Sequence, residues 1–308
     1  MRHFLAISDL VPADLAGLLD LALALKQEWR AGGNPPLLKG RVLGMIFQKP
    51  SLRTRVSFDV AMLHLGGHAL YLSPQEIGLG GRESVADVSR VLSRYVQGIM
   101  ARTFAHANIL ELDRWAGVPV INGLSDYTHP CQALADALTI RENFGALAGL
   151  KVAYVGDGNN VLRSLMNACA LSGASLTAAS PDGYQLPQAD FDTARALAGS
   201  NGATFNSLTD PREAVRGAQV IYTDTWTSMG QEAETARRRE VFPPYQVNAA
   251  LVAEADPQAI VMHCLPAHRN EELTDEVADG PHSALFDQAE NRLHAQKAVL
   301  AQLLGGVS

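Results

Sequence analysis

The stretch from Arg41 to Leu72 reads RVLGMIFQKPSLRTRVSFDVAMLHLGGHALYL, and its two apolar runs around one periodic segment decide the fold class. Arg41 to Phe47 reads as a buried strand. From Ser51 onward, Val56, Val60 and Leu63 recur at i, i+4 and i+7, which lines one face of a helix. Gly66 and Gly67 stop that helix, and His68 to Leu72 reads as the next strand. Strands alternating with helices imply parallel pairing and an α/β layered fold, because parallel neighbours need a long crossover.

The same alternation extends both ways. Upstream, Pro12 opens a helix running to about Arg30, broken by Gly32 through Pro36. Downstream, a glycine-bearing loop spans Gln75 to Gly81, and Ser84 with Asp87 makes a capping-box-like start to a helix ending near Val96. Gly98 to Arg102 and Val118 to Asn122 are strand candidates with a helix between them, and another helix starts at Pro130. A second set follows Ala148 to Leu150. Its strands are Lys151 to Val155, Ser175 to Ser180, Gln219 to Thr223 and Ala259 to Cys264, with a helix from Val161 to Leu171. Thr227 to Pro244 lacks periodicity and reads as a binding loop or lid, and Asp287 to Leu304 reads as a closing helix. A chain of 308 residues exceeds the size of one ordinary core. The expectation is two domains, each a parallel sheet flanked by helices, spanning residues 1–145 and 146–308.

Composition narrows the function classes. Hydrophobic residues make up 47% and charged residues 19%, as in soluble globular proteins. A net charge of -7 argues against a nucleic-acid binder. It leaves room for an anionic small substrate held by a local arginine cluster. Cys131, Cys169 and Cys264 are scattered and odd in number, so neither a disulfide framework nor a zinc site is expected. The N-terminus reaches charge too soon for a signal-peptide core, and no apolar run approaches the ~20 residues that span a bilayer. A soluble, cytoplasmic protein without membrane contact is expected.

Several segments could carry chemistry. Lys49 to Arg55 lies where a strand turns into a helix, whose N-terminal N–H groups suit a phosphate, with Ser51, Thr54 and Arg53 as further donors. From the spacing alone, an N-cap serine with arginines on a solvated face is slightly the better account. Arg102 ends one strand, and the helix beginning with His129, Pro130, Cys131 and Gln132 follows another, so these groups could converge at the carboxyl edge of one sheet. Gly156-Asp157-Gly158-Asn159-Asn160 opens like a dinucleotide fingerprint, but Val161 stands where the third glycine belongs. A tight turn explains both glycines. Asp224, just after a strand, offers a carboxylate for an ammonium group or is a solvated loop residue. Cys264, between His263 and His268, reads either as a nucleophile with a base or as a buried inert thiol.

Taken in order, these segments resemble the carbamoyltransferase family, and within it the ornithine type, from near Ser8 to Gln302. The landmarks are Ser51 to Arg55, His129 to Gln132, Asp224 with Ser228-Met229-Gly230, and His263 to Pro266. The resemblance implies that residues 1–145 bind carbamoyl phosphate, that residues 146–308 bind ornithine, and that the terminal helix, about 287–308, packs back on the first domain. It assigns the phosphate to Ser51, Leu52, Arg53 and Thr54, and the carbamoyl end to Arg102, His129 and Gln132. Cys264 and Leu265 would lie beside the reacting amine, with Arg292 returning to the carbamoyl site. Asn160, Asp224, Ser228 and Met229 would hold the amino-acid end of ornithine. A cis bond between Leu265 and Pro266 is also implied.

The implied reaction passes the carbamoyl group to the δ-amine of L-ornithine, giving L-citrulline and phosphate. Arg102, His129, Cys264 and Thr54 would be catalytic, and neither a cofactor nor a metal is required. Family members form trimers, so a homotrimer or a multiple of trimers is expected. Two places depart from the common pattern. Leu52 replaces a threonine, which removes a hydroxyl but not the backbone donor. Gly78 stands where some relatives offer glutamine or histidine to a neighbouring subunit. The competing readings are a carbamoyltransferase for another amine such as acetylornithine, a dinucleotide oxidoreductase, and a non-catalytic relative.

Overall fold

The computed structural model describes residues 1–228 and 230–305. Two compact units are present: Met1–Leu138 together with the chain from Asn291, and Thr139–Glu290.

In the first unit, α1 (Pro12–Arg30) is followed by β1 (Val42–Phe47), α2 (Leu52–His64), β2 (His68–Leu72), α3 (Pro74–Ile77), α4 (Val85–Leu92), β3 (Gly98–Arg102), α5 (His106–Trp115) and β4 (Val120–Leu124). The sheet order is β2-β1-β3-β4, with all neighbours parallel. β1, β3 and β4 are almost wholly apolar and buried, as expected of strands covered on both faces. β4 starts two residues later than expected, because Pro119 has no N–H to give to the ladder. α4 also ends earlier than expected. Ser93 turns its hydroxyl back to the Ser89 carbonyl and accepts from the Gly117 N–H.

α6 (Pro130–Phe144) leads into the second unit, which contains β5 (Lys151–Val155), α7 (Asn160–Ser172), β6 (Ser175–Ala179), α8 (Gln188–Ala198), β7 (Phe205–Leu208), α9 (Pro211–Val215), β8 (Val220–Thr223), α10 (Thr235–Val241), α11 (Ala249–Val252), β9 (Ile260–His263) and α12 (Asp275–Ala278). This sheet is also parallel, in the order β7-β6-β5-β8-β9. The edge strand β7 escapes the sequence reading, because it is four residues long and only Phe205 is fully buried. The segment from Thr227 to Pro244 is not a bare loop: it holds α10, which packs beside the buried Phe242 rather than along an apolar stripe.

α13 (Leu285–Leu304) carries the chain back into the first unit, as expected of the terminal helix. There Asn291 accepts from Lys26 Nζ at 2.8 Å, and Lys297 Nζ donates to Asn34 Oδ1 at 2.6 Å. Leu304 lies so close to Gly98 that a Cβ there would meet it at 2.9 Å. In both sheets the strand order reverses between two neighbours, β1 and β3 in one and β5 and β8 in the other. The crevice beyond the carboxyl ends at such a reversal is where open parallel sheets bind ligands.

Candidate functional site

At the reversal in the first sheet, β1 runs into the first turn of α2. Ser51 caps the helix, accepting from the Thr54 N–H at 3.4 Å and donating to Thr54 Oγ1 at 3.1 Å. Arg53 is half-buried in this turn, Thr54 is buried, and Leu52 points outward with 75% of its surface exposed. Thr54 joins a chain of buried polar groups. Arg292 Nη2 donates to Thr54 Oγ1 at 3.4 Å, and its Nη1 donates to Gln132 Oε1 at 2.7 Å. Gln132 Nε2 donates in turn to Asp136 Oδ1 at 2.8 Å. The outward Leu52 side chain is thus no obstacle to ligand binding by its own N–H.

Arg102, the last residue of β3, is buried, and so is His129 at the start of α6. Burial lowers the His129 pKa well below the ordinary imidazole value, and the charges of Arg292 and Arg102 lower it further. His129 is therefore a neutral ring at physiological pH. Cys131 follows it, buried and pushed up to about 12 by desolvation, so it is inert. Of the residues expected here, Ser51, Thr54, Gln132 and Arg292 are joined by hydrogen bonds, while Arg102 and His129 are coupled through charge. Lys49, buried with Nζ 4.4 Å from the Phe104 ring centre, and Asp136 carried no expectation.

The second unit presents a different constellation at the ends of β5, β8 and β9. Asp224, buried, accepts from Asn159 Nδ2 at 2.7 Å, from the Cys264 thiol at 3.0 Å and from the Thr225 N–H at 2.8 Å. Asn159 also caps α7, accepting from the N–H groups of Val161 and Leu162. Asn160, the first residue of α7, is half-buried beside it. The family resemblance assigned Asn160, and a bond to Asp224 comes from its neighbour Asn159. Gly158 is required for a steric reason. The backbone of residues 184–186 passes so close that a Cβ would approach to 2.4 Å, and the Gly158 N–H donates to Tyr184 O. With Val161 packed in the core, the glycine pair is a close-approach turn rather than a pyrophosphate cradle.

Arg238, from α10, is the residue that sequence reasoning missed most clearly. It donates to Asp157 at 2.9 Å, to Glu234 at 2.9 Å and to the Trp226 carbonyl at 2.6 Å, tying the loop after β5 to the loop after β8. Burial raises the Asp157 pKa to about 6 against the opposing pull of Arg238. Ser228 is half-buried, and its N–H donates to Gln231 Oε1 at 3.3 Å. Met229 lies outside the described residues.

After β9, the Leu265–Pro266 peptide is cis and Leu265 has φ of 55°. His263 spends both ring nitrogens locally: Nδ1 accepts from the Leu265 N–H at 2.8 Å, and Nε2 bonds Glu272 Oε1 at 3.0 Å. It is therefore not a base for Cys264, whose thiol donates to Asp224 instead. The cysteine-hydrolase alternative thus loses His263 as its base. For the same reason the trio of Asp224, His263 and Cys264, though its donor atoms cluster within 4.8 Å, leaves an ion no imidazole lone pair. Among the described residues no helix is long and apolar enough to cross a membrane.

Comparison with known proteins fits this layout. Residues 2–142 match the family described as aspartate/ornithine carbamoyltransferase, carbamoyl-P binding domain. Residues 148–303 match the corresponding Asp/Orn binding domain. The chain is 55% identical to an ornithine carbamoyltransferase of Pyrococcus abyssi over 307 residues, covering 99% of this chain and 96% of the relative. Among solved structures, ornithine carbamoyltransferase from Pyrococcus furiosus is similar with a TM-score of 0.97 at 53% identity, covering 100% of this chain and 98% of that one. An acetylornithine transcarbamylase complexed with acetylcitrulline gives a TM-score of 0.88 at 31% identity, covering 98% and 99%. By matches that run nearly end to end, this chain belongs to the aspartate/ornithine carbamoyltransferase family.

Proposed function

We propose that the chain transfers the carbamoyl group of carbamoyl phosphate to the δ-amine of L-ornithine, releasing L-citrulline and phosphate. The observation that carries the choice of acceptor is Asp224: a buried carboxylate, fixed by Asn159 and Cys264, is a counter-charge for the α-ammonium of a free amino acid. An acetylated α-nitrogen would carry no charge to meet it.

In this reading residues 1–145, with the terminal helix packed back on them, take carbamoyl phosphate. The α2 N-terminus, with Ser51, the Leu52 N–H, Arg53 and Thr54, holds the phosphate. Arg102, His129, Gln132 and Arg292 hold the carbamoyl group. The second unit takes ornithine, with Asn160, Asp224, Ser228 and Met229 at its amino-acid end and Cys264 and Leu265 along its side chain. The attacking amine must be neutral, whereas a free alkylamine with a pKa near ~10 is mostly protonated. A positive charge beside an amine disfavours its ammonium form. Attack forms the C–N bond and places negative charge on the carbonyl oxygen, where Arg102, the Thr54 hydroxyl and neutral His129 donate. The tetrahedral species then breaks its C–O bond to phosphate, which departs to the helix N-terminus and Arg53 and takes up the proton released by the attacking nitrogen. Each side chain acts by binding, orienting or donating, and the route needs no covalent enzyme intermediate, cofactor or metal.

The protein works in the cytoplasm as a homotrimer or a multiple of trimers. Supporting self-association, β2 is an edge strand, and Val56, Leu63 and Leu70 of α2 and β2 are exposed. Side-by-side assays with ornithine, acetylornithine, putrescine and aspartate test the acceptor. Citrulline from ornithine alone is the expected result, and turnover only with another acceptor would deny Asp224 its role as counter-charge to the α-ammonium.

A further inference from the structure

The loop after β9 carries His268, Glu271 and Glu272, none of which the carbamoyl-transfer reading uses. Glu272 is 0% exposed, a rare place for a carboxylate. Its Oε1 is doubly satisfied, by His263 Nε2 at 3.0 Å and by the His268 N–H at 2.6 Å. Its Oε2 is buried and has no hydrogen bond among the described residues. That oxygen lies 3.9 Å from Nδ1 of His268, beyond hydrogen-bond range, and His268 is itself largely exposed. Glu271 adds a second carboxylate, of which Arg239 takes Oε1 with both Nε and Nη2. One donor atom from each of His268, Glu271 and Glu272 falls within 4.8 Å of the others.

A buried anionic oxygen without a donor costs free energy until a positive charge meets it. The nearby arginines are engaged elsewhere: Arg239 on Glu271 Oε1, and Arg269 on Asp275 and Asp279. Metal–nitrogen and metal–oxygen bonds of about 2.0–2.2 Å set tetrahedral donors roughly 3.4 Å apart. The 3.9 Å between His268 Nδ1 and Glu272 Oε2 is about 0.5 Å longer than that spacing. We propose that His268, Glu271 and Glu272 bind a divalent transition-metal ion of the zinc and cobalt class, with water completing its coordination. One imidazole with two carboxylates favours such an ion over magnesium, which prefers an all-oxygen octahedron. The ion fixes the loop and, through Glu272 Oε1 and the His263 ring, the turn at Cys264 and Leu265. None of the three ligands is a group assigned to the proposed reaction.

The test is a Co²⁺ titration of the untagged full chain after chelator treatment, followed by visible absorbance and by the thermal midpoint. The expected result is one Co²⁺ per chain, a spectrum of nitrogen and oxygen ligands without a thiolate charge-transfer band, and a rise in midpoint with added ion. His268→Ala, at an exposed position that leaves the core intact, weakens binding at least roughly tenfold and abolishes the midpoint shift, and Glu271→Gln does the same. Cys264→Ser binds as the unaltered chain does. A thiolate band, binding unchanged in His268→Ala, or no binding at millimolar Co²⁺ would each overturn the proposal.

Discussion

The carboxyl ends of the two sheets are built on one plan and carry opposite charge. In the first unit the groups gathered there are Arg53, Arg102 and Arg292 around a helix N-terminus. In the second, the centre is the carboxylate of Asp224, and its supports are a neutral amide and a thiol. Parallel strand order fixes where a ligand sits, and the side chains at the strand ends fix which charge it must have. A phosphate suits the first edge and an ammonium the second.

The two edges also differ in how they are held, and a large expected effect on stability tests that difference. Arg238 ties the loops of the second edge through Asp157 and the Trp226 carbonyl, whereas the first edge rests on a helix start. Arg238→Ala should cost about 3 kcal/mol of stability, the low end for breaking a buried pair, because Asp157 then stays protonated. Calorimetric unfolding is the check, and a midpoint within a degree of the parent would show that the loops hold themselves. Arg102→Ala attacks the other edge. It should lower kcat by about 10²–10³, or ~2.7–4 kcal/mol of barrier, without a comparable change in the KM for ornithine. Equal effects on both KM values would blur the division of labour between the edges. Asp224→Asn should do the converse, raising the ornithine KM by roughly 2 kcal/mol of lost charge-assisted binding while the affinity for carbamoyl phosphate holds. Equilibrium binding of the two substrates separates these outcomes.

The edges were unequally legible in the sequence. Ser51, Arg53 and Thr54 are contiguous and sit on a strand-to-helix junction that periodicity alone reveals, so the physics of a helix N-terminus could be read directly. Arg292 could not be read that way. It meets Gln132 and Thr54 across 160 and 238 residues of chain, and only a family resemblance pointed to it. In the second unit the strand ends were visible but their wiring was not. Asn159 and Asn160 are indistinguishable as turn residues, and the α7 cap is what sets Asn159 against Asp224. α10 is held by a buried ion pair and the ring of Phe242 rather than by apolar periodicity, so a search for amphipathic stripes passes over it. The four-residue edge strand β7, half polar and paired only with β6, escapes for the same reason.

The last effect is a pH dependence confined to the second unit. Asp157 has a pKa of about 6 in the fold against 3.8 ordinarily, because the cost of burying its charge exceeds what Arg238 returns. The folded chain therefore binds this proton more tightly than the unfolded chain does. The contribution of this residue to stability is fully present below about pH 4 and is lost as pH rises through about 6. Asp157→Asn keeps the side chain neutral at every pH, so its stability relative to the parent should improve between pH 4 and pH 7, by about 3 kcal/mol. Urea unfolding of both chains across that window measures the slope. A variant that instead loses ground as pH rises would mean that the ion pair with Arg238 outweighs burial. The carboxylate of Asp157 would then be a net support of the second edge rather than a charge it tolerates.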